Sequence, residues 1–205
     1  MATDVEPGTA TRILDAAERL VQRSGFNGFS YADVAEELGI TKAALHYHFP
    51  GKAELGDALM QRYAARFEAA LDEVSRTEPD AHAKLRAYAR LYADVFQDER
   101  MCLCGMLAAD YMTLPEPMRR SVVRFFDDNE TWLATILDEG RNAGTLTFTG
   151  PSREVARTIL SGLEGGMLVA RPYGDPRRFQ AIADLLIDGL AADAIVPTPR
   201  DRGRR

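Results

Sequence analysis

Apolar residues recur along most of this chain at the three- and four-residue spacing of an amphipathic α-helix. The opening segment shows the pattern clearly. A first helix is predicted to begin after Thr9 or Thr11 and to end at Gly25, with one buried stripe formed by Ile13, Ala16, Ala17, Leu20 and Val21.

Two shorter helices are predicted next. One begins at Ser30, where Asp33 completes a capping box, and stops at Gly39. The other begins with Thr41 as its cap and runs to about Phe49, before Pro50 and Gly51 break the chain. Two short helices joined through a glycine have the size and punctuation of a helix-turn-helix.

The rest of the chain also reads as helix. A long helix is predicted from Lys52 to about Glu78, and further helices at about 80–97, 101–113, 116–142, 152–171 and 175–191. No run of alternating β-branched residues bounded by turns is present in the sequence. The sequence therefore predicts an all-α protein, in which an N-terminal three-helix helix-turn-helix domain is joined by a long helix to a C-terminal helical domain.

Four segments follow from this organisation. Residues 1–8 are predicted to be disordered, 9–52 to form the helix-turn-helix domain and 53–196 the helical domain, and 197–205 to be a disordered tail rich in Pro and Arg. The first residues resemble neither a signal nor a transit peptide, and no apolar run approaches the roughly 18 residues that cross a bilayer. We therefore expect no membrane partner and a cytoplasmic location.

The net charge of the chain is distributed unevenly along its length. The formal net charge of −6 taken whole discourages a nucleic-acid partner. Residues 1–52 carry −2, residues 53–199 carry −7 and the tail carries +3, whereas the segment from Thr41 to Lys52 has two Lys, two His and no acid. This segment is predicted to be an anion-facing surface within an acidic protein.

The third helix can be divided into two faces at about 100° per residue. Leu45 falls on the inner side with Thr41, Ala44 and His48, and it is predicted to pack on the first two helices. The outer arc carries Lys42, Ala43, His46 and Tyr47.

The segment from Gly39 to Leu55, with its run of Thr41-Lys42-Ala43-Ala44-Leu45-His46-Tyr47-His48-Phe49, resembles the helix-turn-helix of TetR-family transcriptional regulators. The resemblance is sharp over residues 9–56 and beyond them rests on length and helical content. It implies a homodimer that places each third helix in the major groove of a palindromic operator. It also implies that a small-molecule effector binds the C-terminal domain and releases the operator, so that the protein represses transcription. His46 stands where the family more often has tyrosine.

Roles can be assigned from side-chain chemistry. Lys42 can bond guanine O6 or N7, while Thr41 and Tyr47 can donate hydroxyl bonds to phosphate, and Lys52 at a helix start is expected to face phosphate. His48 suits either a structural hydrogen bond or a phosphate contact. The full predicted DNA-binding set is Ser30, Tyr31, Thr41, Lys42, Ala43, Ala44, His46, Tyr47, His48 and Lys52.

The C-terminal domain is rich in Met and aromatic side chains, which suit apolar ligands but also ordinary core packing. The candidate ligand-binding set is Tyr92, Phe96, Cys102, Met106, Tyr111, Phe126, Trp132 and Met167. Gly162, Gly165 and Gly166 lie within five positions and indicate close helix packing, between subunits or within the domain. The candidate dimer interface is Leu160, Leu163, Met167, Leu186 and Leu190.

The sequence also bears on functions other than reversible effector sensing. Cys102 and Cys104 leave open a repressor that senses electrophiles or oxidants through a thiol, with a buried inert thiol as the alternative. A metal site at His46-x-His48 is disfavoured because residues two apart on a helix diverge, so we expect neither metal nor cofactor. An enzyme is disfavoured by the absence of phosphate-loop, nucleophile-elbow and dinucleotide motifs. A helical adaptor that binds no DNA would not need the acid-free face.

Overall fold

The computed structural model describes residues 8–192, and these residues form nine α-helices with two short 3-10 turns at Tyr111–Thr113 and Arg171–Tyr173. The helices are α1 Thr9–Ser24, α2 Tyr31–Leu38, α3 Lys42–His48, α4 Lys52–Thr77, α5 Ala81–Gln97, α6 Leu103–Ala109, α7 Glu116–Ala143, α8 Ser152–Ala170 and α9 Pro176–Asp188. The predicted all-α class is confirmed. The predicted disordered segments at 1–8 and 197–205 lie outside the described residues except for Gly8, as does the end of the predicted second domain beyond residue 192.

The three short helices begin and end for local reasons. The capping box at Ser30 and Asp33 and the left-handed Gly39 at the end of α2 are both present, as predicted. The start of α1 differs from the prediction, because Gly8 rather than Thr9 or Thr11 occupies the cap and makes no side-chain bond. The buried stripe of α1 packs on α2, α4 and α6.

Helix α4 belongs to both halves of the molecule. Its first turns carry Leu55 and Leu59, which are fully buried beside α1, and its later turns pack on α5 and α7. Gly56 is the point of closest approach, since a Cβ there would lie 2.5 Å from the Met118 sulfur and 2.8 Å from the Phe26 ring. A single rigid element therefore runs from the helix-turn-helix into the C-terminal domain.

The C-terminal domain is built mainly by α5, α7, α8 and α9. The prediction of close packing at the α8 glycines is confirmed within the chain, because Cβ atoms at Gly162 and Gly166 would lie 2.6 Å from Leu186 and 3.2 Å from Ile182 of α9. The third glycine, Gly165, faces open space. Within residues 8–192 no helix is long and apolar enough to cross a membrane, and no strand forms apart from a single bridge between Leu146 and Ala191.

Candidate nucleic-acid interface and ligand cleft

Helix α3 is fixed to the rest of its domain by its cap and by one apolar side chain. The Thr41 hydroxyl accepts a hydrogen bond from the Ala44 N–H at 3.1 Å. Leu45 is fully buried, and Phe49 follows at the end of the helix, also buried. The φ of Gly39 is +64°, a left-handed conformation that glycine adopts without strain and that allows the tight turn between α2 and α3.

The opposite face of α3 is open to solvent. Lys42, Ala43, His46 and Tyr47 are all exposed, and Tyr47 retains 85% of its accessible surface. Among residues 8–192 no ion pair involves Lys42, so its ammonium is available to an external anion. The predicted outward arc is therefore confirmed, with Ala44 and His48 half-buried at its edges.

His46 is exposed but not free to turn. Its Nδ1 lies 3.1 Å from the Pro50 carbonyl oxygen, which only accepts, so Nδ1 carries the proton and Nε2 points away from this bond. The imidazole also lies against the Tyr31 ring, with 4.8 Å between the ring centroids. The tautomer and orientation of His46 are thus set by its own domain.

Two side chains predicted to contact DNA form hydrogen bonds within their own domain. Tyr31 donates its hydroxyl to the Phe49 carbonyl at 2.9 Å, and burial, with the Glu54 charge, raises the pKa of Tyr31 to about 12. Lys52 bonds the Phe29 carbonyl, and its ammonium lies 4.3 Å from the centre of the Phe29 ring. Burial lowers the pKa of Lys52, against the charges of Asp110 and Asp33. Both side chains are half-buried, and each bonds a backbone carbonyl that ties the α3–α4 junction to the start of α2.

The acids of this domain are held away from the α3 face or are paired. Glu18 is buried between Arg62 and Arg66, and Glu37 is paired with Arg19. Ser30, predicted to contact DNA, donates its N–H and hydroxyl to the Asp33 carboxylate, and these bonds lower the pKa of Asp33. Positive charge at Lys42 therefore dominates the exposed face of α3.

A carboxylate of the C-terminal domain accepts hydrogen bonds from the turn between α1 and α2. Asp110, at the end of α6, accepts the Phe26 N–H at 2.7 Å and the Asn27 N–H at 3.2 Å. The Asn27 side chain also donates to the Thr113 hydroxyl at 2.7 Å. Sequence reasoning missed Asp110, because nothing local marks a bond between residues 84 apart.

A cleft of the C-terminal domain lies between α4 and α7 and has a volume of about 600 Å³. Its apolar wall is formed by Met60, Phe67, Leu71, Phe125 and Trp132. Its polar side chains are Gln61, Glu68, Asp72, Ser121, Arg124, Asp128, Asn129 and Thr131. The volume and the mixture of aromatic and polar walls are typical of a small-molecule site.

The predicted ligand-binding set does not share one cavity. Only Trp132 lines the α4–α7 cleft, and Phe96 borders a second cleft of about 510 Å³ beside Arg23 and Arg171. The remaining six members border neither cleft. Tyr92, Cys102 and Met167 pack into the core, and Met106, Tyr111 and Phe126 lie partly exposed. Helical periodicity places a residue inside or outside but does not say which inward residues border a void.

Behind the aromatic wall lies a buried thiol and carboxyl cluster. The Cys102 sulfur is 3.7 Å from the Tyr63 hydroxyl, and the Cys104 sulfur is 3.9 Å from the Met60 sulfur. Burial raises the pKa of Glu164 well above its usual value, helped by the nearby Cys102. Glu164 Oε1 is enclosed without a hydrogen-bond partner. The only sequence signal for Glu164 was an acid inside an otherwise apolar run.

The pKa of Cys102 is lowered to about 6. Burial acts to raise it, but hydrogen bonds from Cys104, Glu164, the Gly105 N–H and the Tyr63 hydroxyl outweigh burial. Burial raises the pKa of Cys104 instead. These hydrogen bonds favour the charged form of Cys102 over that of Cys104.

The predicted dimer residues differ in how far their own subunit buries them. Leu160, Leu163 and Met167 are buried in the chain's own core, and Leu186 and Leu190 are half-buried against it. The apolar side chains that α8 and α9 leave exposed are instead Leu168, Val169 and Leu185, at 61%, 62% and 79%. The inward stripe of α8 packs within its own subunit, whereas Leu186 and Leu190 of the predicted set keep part of their surface exposed.

Comparison with known proteins places these features in a family. Residues 13–59 match the model for the bacterial regulatory proteins of the tetR family, and residues 81–186 match a tetracyclin repressor-like C-terminal domain. A TetR-family regulator from Agrobacterium tumefaciens has a similar structure, with a TM-score of 0.86 and 34% identity over 89% of this chain and 97% of that one. A TetR regulator from Legionella pneumophila is also similar, with a TM-score of 0.81 and 31% identity over 90% and 98% of the two chains. The transcriptional repressor NemR of Escherichia coli is 24% identical over 83% of this chain and 88% of its own length.

Proposed function

The chain belongs to the TetR family of bacterial regulatory proteins, and we propose that it represses transcription from a palindromic operator until a small effector enters its C-terminal domain. The single observation that carries the operator role is the exposed face of α3, positive at Lys42 and anchored from behind by Leu45. On this reading the protein acts in the cytoplasm, at the nucleoid.

We assign different tasks to the exposed side chains of α3. Lys42 hydrogen-bonds a base edge in the major groove, and Ala43 is small enough to let the helix approach thymine methyl groups. Tyr47 and the Thr41 hydroxyl contact phosphate and position the helix without reading sequence. His46 offers Nε2 toward DNA, because Nδ1 is already committed to Pro50.

The operator role is tested by binding to the DNA upstream of the protein's own gene at several salt concentrations, with genome-wide footprinting to find further sites. Phosphate contacts make affinity fall steeply as salt rises. Binding that is absent, or that does not respond to salt, would refute the proposal and favour a helical adaptor.

The dimer is proposed to form through the outer faces of α8 and α9. Leu168, Val169 and Leu185 supply apolar surface there, and Gly165, with open space at its Cβ position, allows two α8 helices to approach closely. Each of the two α3 helices would then bind one half of a palindromic operator, as in the family's dimeric regulators. A mass measurement that finds only monomer at micromolar concentration would contradict this assembly.

The α4–α7 cleft is the proposed effector site. Helix α4 lines it with Met60, Phe67 and Asp72, and the same helix begins at Lys52, which bonds the Phe29 carbonyl of the DNA-binding domain. A ligand that changes the separation of α4 from α7 would therefore also move the base of the DNA-binding domain. Operator release by an added ligand, lost when cleft side chains are substituted, is the expected result.

A second candidate function has a specific observation in its favour, namely the Cys102 sulfur 3.7 Å from the Tyr63 hydroxyl in a cluster with Glu164, where hydrogen bonds lower the pKa of Cys102 to about 6. An electrophilic alkene such as N-ethylmaleimide would form a C–S bond to the Cys102 sulfur, and the proton of the Glu164 carboxyl would pass to the adjacent carbon. The adduct would displace α6, whose first residue follows Cys102. Cys102 is only 2% exposed, so the reaction requires the domain to open.

The thiol candidate is tested by operator binding before and after N-ethylmaleimide. The wild type is expected to lose the operator and Cys102→Ser to keep it, with Cys104→Ser as the matched control that still responds. Unchanged binding in the treated wild type would reject the thiol sensor and leave the reversible effector as the proposal.

A further inference from the structure

The α4–α7 cleft has an aromatic inner wall. The Phe67 and Phe125 rings meet edge to face with 5.1 Å between their centroids, and Trp132 stacks on Tyr88 at 5.6 Å with a 20° interplanar angle. Trp132 is tied in place by its indole N–H, which donates to the Ser75 hydroxyl at 2.9 Å. These fixed rings present π surface to anything that enters the cleft, and π surface attracts cations.

The deepest polar group of the cleft is already satisfied. Asn129 is buried, its amide oxygen accepts the Tyr88 hydroxyl at 3.0 Å, and its amide nitrogen donates to the Phe125 carbonyl at 2.8 Å. The cleft is also lined by Met60, a flexible thioether side chain that is fully buried. The inner end of a ligand therefore meets rings and a thioether, and an apolar body suits it.

The mouth of the cleft carries an excess of negative charge. Three carboxylates line it, from Glu68, Asp72 and Asp128, against the single guanidinium of Arg124. Arg124 lies 3.6 Å from the Asp128 carboxylate, so these two charges offset each other. In the part of the chain that the structure describes, neither Glu68 nor Asp72 forms an ion pair. A positive group at the mouth would find two exposed, uncompensated carboxylates on successive turns of α4.

We propose that the effector bound by this cleft is a lipophilic organic cation, with an aromatic or bulky apolar body against Phe67, Phe125 and Trp132 and its positive charge toward Glu68 and Asp72. This assignment rests on the proposed effector role of the cleft, but it concerns ligand chemistry and can be tested without DNA. An anion of the same shape meets the same rings and the opposite electrostatic field.

The experiment uses a pair of probes with the same shape and opposite charge, tetraphenylphosphonium and tetraphenylborate. Trp132 is the only tryptophan in the chain, so the quenching of intrinsic fluorescence reports on this cleft directly. For the full-length wild type we expect saturable quenching by the phosphonium, with an apparent Kd at least about tenfold below that of the borate. Isothermal titration calorimetry of both probes checks the stoichiometry of one cation per chain.

Substitutions test which carboxylates attract the cation. The double variant Glu68→Gln with Asp72→Asn is expected to weaken phosphonium binding at least about fivefold and to leave borate binding unchanged or tighter. Both side chains are exposed, so the variant keeps its fold. The matched control is Glu73→Gln, which lies on the same helix, pairs with Arg76 and does not line the cleft, and it should bind the phosphonium like the wild type.

Three results would overturn the proposal: equal or tighter binding of the borate, no loss of phosphonium binding in the double variant, or no saturable response to either probe. Operator release is measured separately. Selective phosphonium binding without operator release would support the ligand class and count against the cleft as the regulatory site, whereas failure to bind any operator would refute the regulator without touching the fluorescence result.

Discussion

The contact of Asp110 with the turn between α1 and α2 is expected to hold the DNA-binding domain on the C-terminal domain. The carboxylate accepts two backbone N–H groups, from Phe26 at 2.7 Å and Asn27 at 3.2 Å. Asp110→Ala removes both bonds and leaves the Phe26 N–H without its acceptor beside a side chain that is only 5% exposed. The change thus acts at the junction of the domains and removes no apolar packing.

The magnitude follows from these two bonds. A hydrogen bond to a charged acceptor contributes about 1.5–3 kcal/mol net, and an unsatisfied buried donor costs about 1–3 kcal/mol. The Asn27 N–H is exposed and can bond water instead, so the Phe26 bond accounts for most of the loss. We expect Asp110→Ala to lower the free energy of unfolding by about 2 kcal/mol, and Asp110→Asn, whose amide oxygen still accepts, by about half as much.

Two measurements check this prediction. Urea denaturation followed by circular dichroism gives the stability loss, and native-state hydrogen exchange gives the protection of the Phe26 amide, which should fall in Asp110→Ala. Asp127→Ala is the control, because Asp127 is an exposed carboxylate of α7 outside both clefts. The reasoning is refuted if Asp110→Ala stays within about 0.5 kcal/mol of the wild type and the Phe26 amide remains protected.

Three further outcomes are expected. Lys42→Ala should cost about 1–3 kcal/mol of operator binding and relax base preference, whereas Tyr47→Ala should weaken binding to all sequences alike, as measured by titration of operator and scrambled DNA. Leu185→Glu should leave the subunit folded, because this side chain is 79% exposed, but shift the dimer to monomer in sedimentation. The double variant Cys102→Ser with Glu164→Gln should have a higher melting temperature than Cys102→Ser alone at pH 8, and the same melting temperature at pH 4. The raised pKa of Glu164 means that the folded state is fully stabilised only while this carboxyl is protonated, and loses stability as the pH rises.

Each of these predictions has a result that would contradict it. An unchanged base preference in Lys42→Ala would remove its reading role, and a Leu185→Glu protein that stays dimeric would move the interface elsewhere. Val123→Glu, at an exposed apolar position of α7, controls for the added charge and should not affect assembly. An equal melting difference at pH 4 and pH 8 would contradict the buried, protonated carboxyl.

The sequence by itself determined the helix-turn-helix and the face it presents. Caps at Ser30 and Thr41, the glycine at position 39 and the inward Leu45 act within a few residues of one another, so local rules are enough to place them. The same rules could not foresee Lys52 and Tyr31, whose side chains bond carbonyls of Phe29 and Phe49 across the domain. A residue type that suits phosphate serves equally well to satisfy a buried backbone oxygen, and only the fold decides between the two.

Tertiary structure alone decided where the clefts form and how the domains are joined. Periodicity correctly marked α7 and α8 as amphipathic, but it does not say which helix each apolar stripe packs against. Leu163 and Met167, predicted at the dimer interface, are buried in the core of their own subunit. The α4–α7 cleft, the enclosed Glu164 and the grip of Asp110 on the α1–α2 turn all arise from residues far apart in the chain. Such contacts depend on how helices pack, which is set by side-chain shape across an interface and is not encoded in the pattern of any one helix.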